Sequence, residues 1–432
     1  MADFALMLQS DNQLTHRFGR DNAYVGMSQL HSPLALLMFQ QSEIECRRFE
    51  VPAPGPRALK TGATGWEAAS GKTVLMKHDT QLREVALPRE DLQGPVEAVG
   101  DVPRAHQALP LATAVYAALD LGTNNCRLLI ACPFQDGFRV VDSFSRIIRL
   151  GEGISTTGCI SEAATERAIA ALSVCRDKIA SKKARRLRLI ATEACRAASN
   201  AQGFRDRVAN ETGIVLEVID RETEAALAVI GCSPLVDPRG RGAILFDIGG
   251  GSTELVRIER DPGAGSEKPR TKAWMSIPLG VVTLAEHFGG RDVTRQSYAE
   301  MVQAVAQHVA PFAAEHGADL AGMHLLGTSG TVTTLAGVHL NLARYDRRRI
   351  DGIWINDADI TATIDRLLCM SYRQRAENNC ISVERADLVL AGCAILDAIR
   401  QAFPLPRLRV ADRGLREGML IEMMREDGIL PA

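Results

Sequence analysis

The sequence predicts an α/β fold in which one kind of domain is built twice, with a cleft between the copies. Three observations lead there. First, an apolar strand ending in aspartate, a turn of small residues and a second strand occur at Asp120-Leu121-Gly122-Thr123-Asn124-Asn125-Cys126-Arg127-Leu128. The same form recurs at Asp247-Ile248-Gly249-Gly250-Gly251-Ser252-Thr253-Glu254-Leu255. Second, the copies start at positions 120 and 247, a separation of 127 residues, which is too long for a solenoid repeat and about one domain. Third, 432 residues with 46% hydrophobic and 24% charged residues suit two or three globular domains, each able to bury a core.

The elements follow in order. Residues 1–112 alternate short apolar pieces with Pro/Gly-rich stretches, Val51 to Arg57 and Pro88 to Pro103, without a sustained period of 2 or 3.6. They are expected to form a poorly ordered N-terminal extension. A first domain is expected over 113–238. Tyr116 to Leu121 reads as a buried strand, Gly122 to Asn125 as its turn, and Cys126 to Cys132 and Phe138 to Phe144 as further strands. Ser161 is placed to cap a helix running to Ala180. Leu187 to Ala191 and Ile214 to Ile219 read as strands. Phe204 to Thr212, ended by Gly213, and Arg221 to Ile230 read as helices. Ser233 to Gly242 looks like a linker.

A second domain is expected over 239–432. It opens with strands Ala243 to Asp247 and Thr253 to Ile258, then an exposed hairpin loop from Asp261 to Pro269. Helices are expected to dominate after it: Leu279 to Phe288, Arg295 to His316, Thr331 to Leu340, Asp357 to Met370, Glu384 to Phe403 and Gly414 to Arg425. Short strands at Met323 to Gly327 and Leu408 to Ala411 interrupt them.

The bulk properties exclude some functions. A formal net charge of -2 argues against broad nucleic-acid binding. The apolar runs are too short for a membrane-spanning helix, and the N-terminus lacks a signal-peptide pattern, so a cytoplasmic location is expected. The 10 cysteines include no C-x-x-C pair and read as reduced thiols. His308 and His316, eight residues apart in one helix, do not form a zinc pattern. Gly-Thr-Ser-Gly-Thr around Ser329 is not a serine-hydrolase elbow.

The repeated hairpin is a phosphate-binding device. Glycines let the backbone approach an anion, successive N–H groups and hydroxyls grip its oxygens, and a strand-end aspartate can orient a metal. The candidate phosphate-binding residues are therefore Gly122, Thr123, Asn124, Asn125, Arg127, Gly249, Gly250, Gly251, Ser252 and Thr253. Arg127 could point into the cleft or pair structurally. The basic run Arg344 to Arg349 could touch a long anion or be a solvated turn.

Ala117 to Ile130 resembles the first signature of the Ppx/GppA phosphatase family. Further resemblances follow in the family's order. They are Ala191-Thr192-Glu193-Ala194-Cys195-Arg196-Ala197-Ala198-Ser199-Asn200, Asp220 to Ala225, Phe246 to Leu255, Gly327 to Thr331 and Asp412 to Gly418. The resemblance implies two actin-like (ribonuclease H-like) domains. It also implies an exopolyphosphatase or guanosine pentaphosphate phosphohydrolase that releases terminal orthophosphate from polyphosphate or from the alarmone pppGpp. Glu224 matches the family's catalytic glutamate and is the candidate general base, with Glu222 as the alternative at the same helix start. Where the family has two adjacent glutamates, this chain has Thr223-Glu224. Arg196 is the candidate guanidinium clamp on phosphate. Asp247 and Glu254 fall at the family's metal and catalytic centre, and Asp120 could share metal orientation or only cap its turn. Mg²⁺ or another divalent cation is the expected cofactor, and a homodimer fits the family. The rival readings are a phosphotransferase of the same superfamily and an alarmone-binding sensor with little turnover.

Overall fold

The computed structural model describes residues 114–260 and 269–431. The N-terminal extension and the loop after Asp261 lie outside these residues.

The first sheet starts with β1 (Tyr116–Leu121), β2 (Asn125–Phe134) and β3 (Gly137–Ile147), an antiparallel meander. Five of the six residues of β1 are buried, because the strand is covered on both faces. The first long helix, α1 (Glu162–Ser181), begins where the Ser161 side chain accepts a hydrogen bond from the Ala164 N–H. β4 (Arg186–Ala191) then joins β1 in parallel. A one-turn helix, Glu193–Ala197, follows at the strand's carboxyl end, and α2 (Ala201–Thr212) ends at Gly213 in the left-handed region. β5 is only Glu217–Val218, shorter than the strand expected from Ile214 to Ile219. The apolar residues on either side of it, Ile214, Leu216 and Ile219, are buried anyway. Burial of an apolar run does not require ladder pairing, and that is why the sequence overstated the strand.

Helix α3 (Arg221–Cys232) carries the chain to the second sheet, β6 (Gly242–Ile248), β7 (Thr253–Glu259), β8 (Arg270–Ile277), β9 (Met323–Thr328), β10 (Trp354–Asn356) and β11 (Arg407–Ala411). The first sheet is ordered β3-β2-β1-β4-β5 and the second β10-β11-β9-β6-β7-β8. Read from β8, the second sheet repeats the order of the first, with β10 added at its edge. The duplication legible in the two hairpins therefore extends to the whole sheet. β8 was not expected from the sequence. Its inward and outward residues mix Arg270, Lys272 and Trp274, and seven of its eight positions are half-buried or exposed at an edge, which blurs the alternation.

Helices α4 (Val281–Phe288), α5 (Arg295–His316), α6 (Gly330–His339), α7 (Asp357–Leu368) and α8 (Val389–Ala402) cover the second sheet. α8 starts five residues later than expected from Glu384, after a short 3₁₀ turn at Val383–Arg385. The last helix, α9 (Leu415–Glu426), leaves the second sheet and packs on the first. Its Met419, Leu420, Met423 and Met424 join Tyr116, Ala118 and Leu129 in one core cluster. The Tyr116 hydroxyl donates to Asp427 at 2.7 Å. Conversely α3, numbered with the first half, packs Ala225, Ala228 and Val229 on Ala243, Leu245 and Val256 of the second. The lobes thus exchange helices, which a linear boundary at 238/239 does not express. α3 and α9 cross closely. A Cβ on Gly418 would lie 2.0 Å from the Leu227 carbonyl oxygen, and one on Gly231 2.0 Å from that of Gly414. Among the described residues no helix is long and apolar enough to cross a membrane.

Candidate active site

The carboxyl ends of β1 and β6 meet in a cavity of about 520 Å³ between the sheets. Each hairpin turn is tight: Gly122 N donates to the Asn125 carbonyl and Gly249 N to that of Ser252, both at 2.9 Å. The two turns touch across the cleft. A Cβ on Gly250 would come within 2.8 Å of Thr123 Cβ, so only glycine allows this approach. Of the sequence candidates, Asp120, Gly122, Thr123, Asn124, Asn125, Arg127, Glu224, Asp247, Gly249, Gly250, Gly251, Ser252 and Glu254 line the cavity. Thr253 does not; it is fully buried and its hydroxyl donates to the Leu279 carbonyl at 2.7 Å. The buried Oδ1 atoms of Asn124 and Asn125 have no partner. Both side chains belong to residues that line the cavity, and an amide can offer it either a donor or an acceptor.

Arg196 also falls outside the cavity lining. Its Nε donates to Glu193 at 2.9 Å, its Nη2 donates to Glu224 Oε2 at 2.8 Å and is ion-paired with Glu193 at 2.8 Å, and its Nη1 donates to the Ile219 carbonyl at 2.9 Å. Every nitrogen of Arg196 is engaged by protein, and its carboxylate partners are Glu193 and Glu224. Glu193 is held from the other side by Arg221 at 2.8 Å.

The register of the two hairpins separates their chemistry. Asp120 lies directly across from Arg127, and the equivalent residues in the second sheet are Asp247 and Glu254. Opposite charges face each other in the first lobe and like charges in the second. Directly opposed like charges on neighbouring strands are unfavourable, more so when buried. Burial, then repulsion from Asp120, pushes Asp247 up to about 6 despite Arg127. Burial, then Asp247, pushes Glu254 up to about 7, although Ser252 and Ser276 donate to its Oε1 at 2.8 and 2.9 Å. Asp120 is raised by burial and pulled back by Arg127 and Arg416.

Glu224 lies in the first turn of α3, which is capped by the Asp220 side chain accepting from the Thr223 N–H at 2.7 Å. Its side chain is only 14% exposed. Burial and then Glu254 raise its proton affinity well above the usual range, and Arg196 opposes both. Arg196 binds Oε2, which leaves Oε1 without a hydrogen-bond partner among the described residues. Glu222, the alternative base, does not line the cavity.

Three arginines line the cavity without a hydrogen bond or ion pair from any described residue: Arg127, Arg385 and Arg416. Burial and the neighbouring Arg127 lower Arg385 to about 10. Burial lowers Arg416 as well. Converging, partly desolvated guanidinium groups that no protein carboxylate bonds directly fit a polyanion. Arg347, from the basic run, is instead taken up by Glu417 and the Asp412 carbonyl. Ser329, at φ 137°, turns its hydroxyl to accept from the N–H groups of Thr331 and Val332 at the start of α6. The sequence reading assigned no role to Glu193, Arg416 or Glu417, although each stood in a segment it singled out. Arg385 stood in none, and only the fold brings it here.

Among the described residues no three His, Cys, Asp or Glu side chains gather as a direct metal-ligand set. Asp120, Asp247 and Glu254 are therefore not a closed cage. The buried Asp247–Glu254 pair on one hairpin does fit a hydrated divalent ion, which takes one or two carboxylates and keeps its waters.

Duplicated ribonuclease H-like sheets with two glycine turns facing one cavity define an actin-like two-lobed protein. A profile of the Ppx/GppA phosphatase family matches residues 130–427, and the chain belongs to that family. It is 28% identical over 313 residues to a guanosine-5'-triphosphate,3'-diphosphate pyrophosphatase of Vibrio vulnificus, covering 72% of this chain and 60% of that protein. The corresponding Vibrio cholerae protein is 27% identical over 317 residues, covering 73% and 60%. The chain thus spans about 60% of the length of these curated relatives. Among solved structures, the Aquifex aeolicus member of the Ppx/GppA family matches with TM-score 0.60 and 29% identity, over 73% of this chain and 99% of that one. An exopolyphosphatase from Cytophaga hutchinsonii shares the fold, with TM-score 0.65 and 24% identity over 73% and 98%.

Proposed function

We propose that this chain hydrolyses the terminal phosphoanhydride bond of a linear polyphosphate, releasing orthophosphate. The chain cleaved is inorganic polyphosphate or the 5'-triphosphate of a guanosine alarmone, the substrate that the Vibrio relatives' names carry. One observation carries the reading. A buried glutamate with a free oxygen, Glu224, shares a cavity with three partnerless arginines and two glycine turns.

The roles divide by chemistry. The turns at Gly122 and Gly249 present backbone N–H groups, and Arg127, Arg385 and Arg416 neutralise the oxyanions. Glu224 accepts a proton from the attacking water through Oε1, while Arg196 fixes Oε2. A carboxylate whose proton affinity is raised by burial is, while ionised, a stronger base than an exposed one. Asp247 and Glu254 are the residues to hold a divalent cation, while the charges of Arg127 and Arg416 offset that of Asp120. When bound, that ion would spread charge from the phosphate oxygens. In-line attack on phosphorus needs positioning and charge stabilisation rather than a covalent intermediate. The groups here suit a hydrolase better than a silent sensor, since pure binding gains nothing from a buried base.

The test is orthophosphate release from long-chain polyphosphate and from pppGpp, in parallel, with Mg²⁺ and with chelator. Metal-dependent release from either supports the reading and names the substrate. A folded chain that releases phosphate from neither contradicts it.

A further inference from the structure

A second contact zone ties the lobes together away from the reacting groups. On the first lobe, the segment after β3 hangs from the first phosphate turn. Ile148 N and Arg149 N donate to the Asn124 carbonyl at 2.9 and 3.1 Å, and Gly151 N to the Thr123 carbonyl at 2.9 Å. No side chain fits at Gly151, where a Cβ would lie 2.2 Å from Thr123 Cγ2. On the second lobe, α4 hangs from the second turn in the same manner. Val281 N donates to the Gly249 carbonyl at 3.0 Å and Val282 N to that of Gly250 at 2.8 Å.

These two appendages are bridged. Arg149 Nη2 donates to both oxygens of Asp387 at 2.8 Å and to the Glu384 carbonyl at 2.9 Å. Glu286, on α4, receives the Gly153 N–H at 2.8 Å on one oxygen and the Ser155 hydroxyl on the other. The two bridges line a smaller cavity of about 150 Å³, which also includes Asn124 and Leu388. Arg149 takes φ 46°, the left-handed region that a β-carbon disfavours. Such outliers persist where surrounding contacts over-determine them and are a reason to look for function. The bridge also brackets Arg385, which lies between Glu384 and Asp387 in the chain and reaches the main cavity.

We propose that Arg149 and Glu286 form an interlobe latch that holds the two phosphate turns at the separation they have in this structure and sets the position of Arg385. The turnover part of this proposal rests on the hydrolase reading; the part about the turns does not. Arg149 and Glu286 are positioning residues, since neither lines the main cavity. A chain whose competent state is only partly populated binds substrate more weakly in proportion, whereas saturating substrate restores that state. Breaking the latch therefore raises KM and spares kcat.

The experiment compares the full chain with Arg149→Ala, with Glu286→Ala, and with the swapped pair Arg149→Asp/Asp387→Arg. Amide hydrogen exchange is read by peptide without substrate, and phosphate release is read on long-chain polyphosphate with Mg²⁺. Each single variant is expected to speed exchange about tenfold at the two turns and at residues 148–155, with β1 and β6 unchanged. KM is expected to rise about tenfold with kcat within about twofold. The swap should recover part of both effects. Exchange that speeds equally across both sheets would make these residues ordinary structural contacts and overturn the latch. So would unchanged exchange at the turns, or a fall in kcat at constant KM. If Arg149→Ala does not fold, Glu286→Ala decides alone. If the wild-type chain releases no phosphate, the hydrolase reading fails while the exchange pattern still decides the latch.

Discussion

Replacing Arg196 with methionine separates two roles for this side chain. The guanidinium bonds Glu224 and Glu193, and all three side chains are only 12–14% exposed. Removing one member of a buried ion pair costs about 3–5 kcal/mol, because the carboxylates left behind are desolvated and unpaired. Here they border a wet cavity and Glu193 keeps Arg221, so a loss near the lower end, roughly 3 kcal/mol, is expected. The effect on proton affinity has a definite sign. Arg196 opposes the rise that burial and Glu254 impose on Glu224, so its removal raises Glu224 further. Glu224 must be ionised to act as base, so the acidic limb of the rate profile moves to higher pH, by roughly one unit or more for about 1.4 kcal/mol of lost interaction. The assay is phosphate release against pH at fixed saturating substrate, with KM measured on the alkaline plateau and unfolding followed by calorimetry. The structure predicts a displaced limb, a lowered Tm and a KM within about twofold of wild type. A tenfold rise in KM with the limb in place would refute this reasoning, since it would mean that Arg196 grips substrate phosphate.

The remaining expectations concern the acids, the free arginines and the helix crossing. Glu254 releases its proton near 4.5 in the unfolded chain and near 7 in the fold, so the fold binds the extra proton between those values. Its stability therefore falls as pH rises through that window. Melting in chelator should show this decline, Glu254→Gln should make it shallower while Asp247 keeps its share, and a divalent cation should raise Tm most at the alkaline end. Methionine in place of Arg127, Arg385 or Arg416 should weaken binding of tripolyphosphate about tenfold each, about 1.4 kcal/mol by titration calorimetry. Tm should hold or rise for Arg385→Met, whose guanidinium bonds no protein group, and fall for Arg127→Met and Arg416→Met, which leave the buried Asp120 carboxylate less compensated. Gly418→Ala drives a methyl into the Leu227 carbonyl, 2.0 Å away, and should cost about 3 kcal/mol or more in calorimetric stability.

The hairpins were legible because their chemistry is local. A strand-end acid, a run of glycines and an outgoing strand occupy consecutive positions, so Asp120, Gly122, Asp247 and Gly249 could be read directly. Glu224 was legible in a helix-start motif, and Ser161 as a cap, for the same reason. Other features depend on what tertiary structure brings near. Arg196 sits in a motif, yet nothing in that motif says which neighbours its guanidinium will bond. The pairing of Asp120 with Arg127, against Asp247 with Glu254, was present in the two aligned segments. It became chemical information only with the strand register. Arg385 comes from a 3₁₀ turn far along the chain and has no local signature. The return of α9 to the first sheet escaped the reading because an amphipathic helix does not name the surface it will cover.

The central claim is that Glu224 takes the proton from the attacking water. It is tested most directly by single-turnover phosphate release from polyphosphate by Glu224→Gln, with substrate binding measured on the same protein. Glutamine keeps the shape and an acceptor for Arg196 but cannot take up the proton. The account predicts a fall of at least about a hundredfold in the chemical step with binding retained, in line with the usual contribution of a positioned base. Turnover within a few-fold of wild type, with the fold and Tm intact, would contradict it and return the search for the base to the other acids of the cavity.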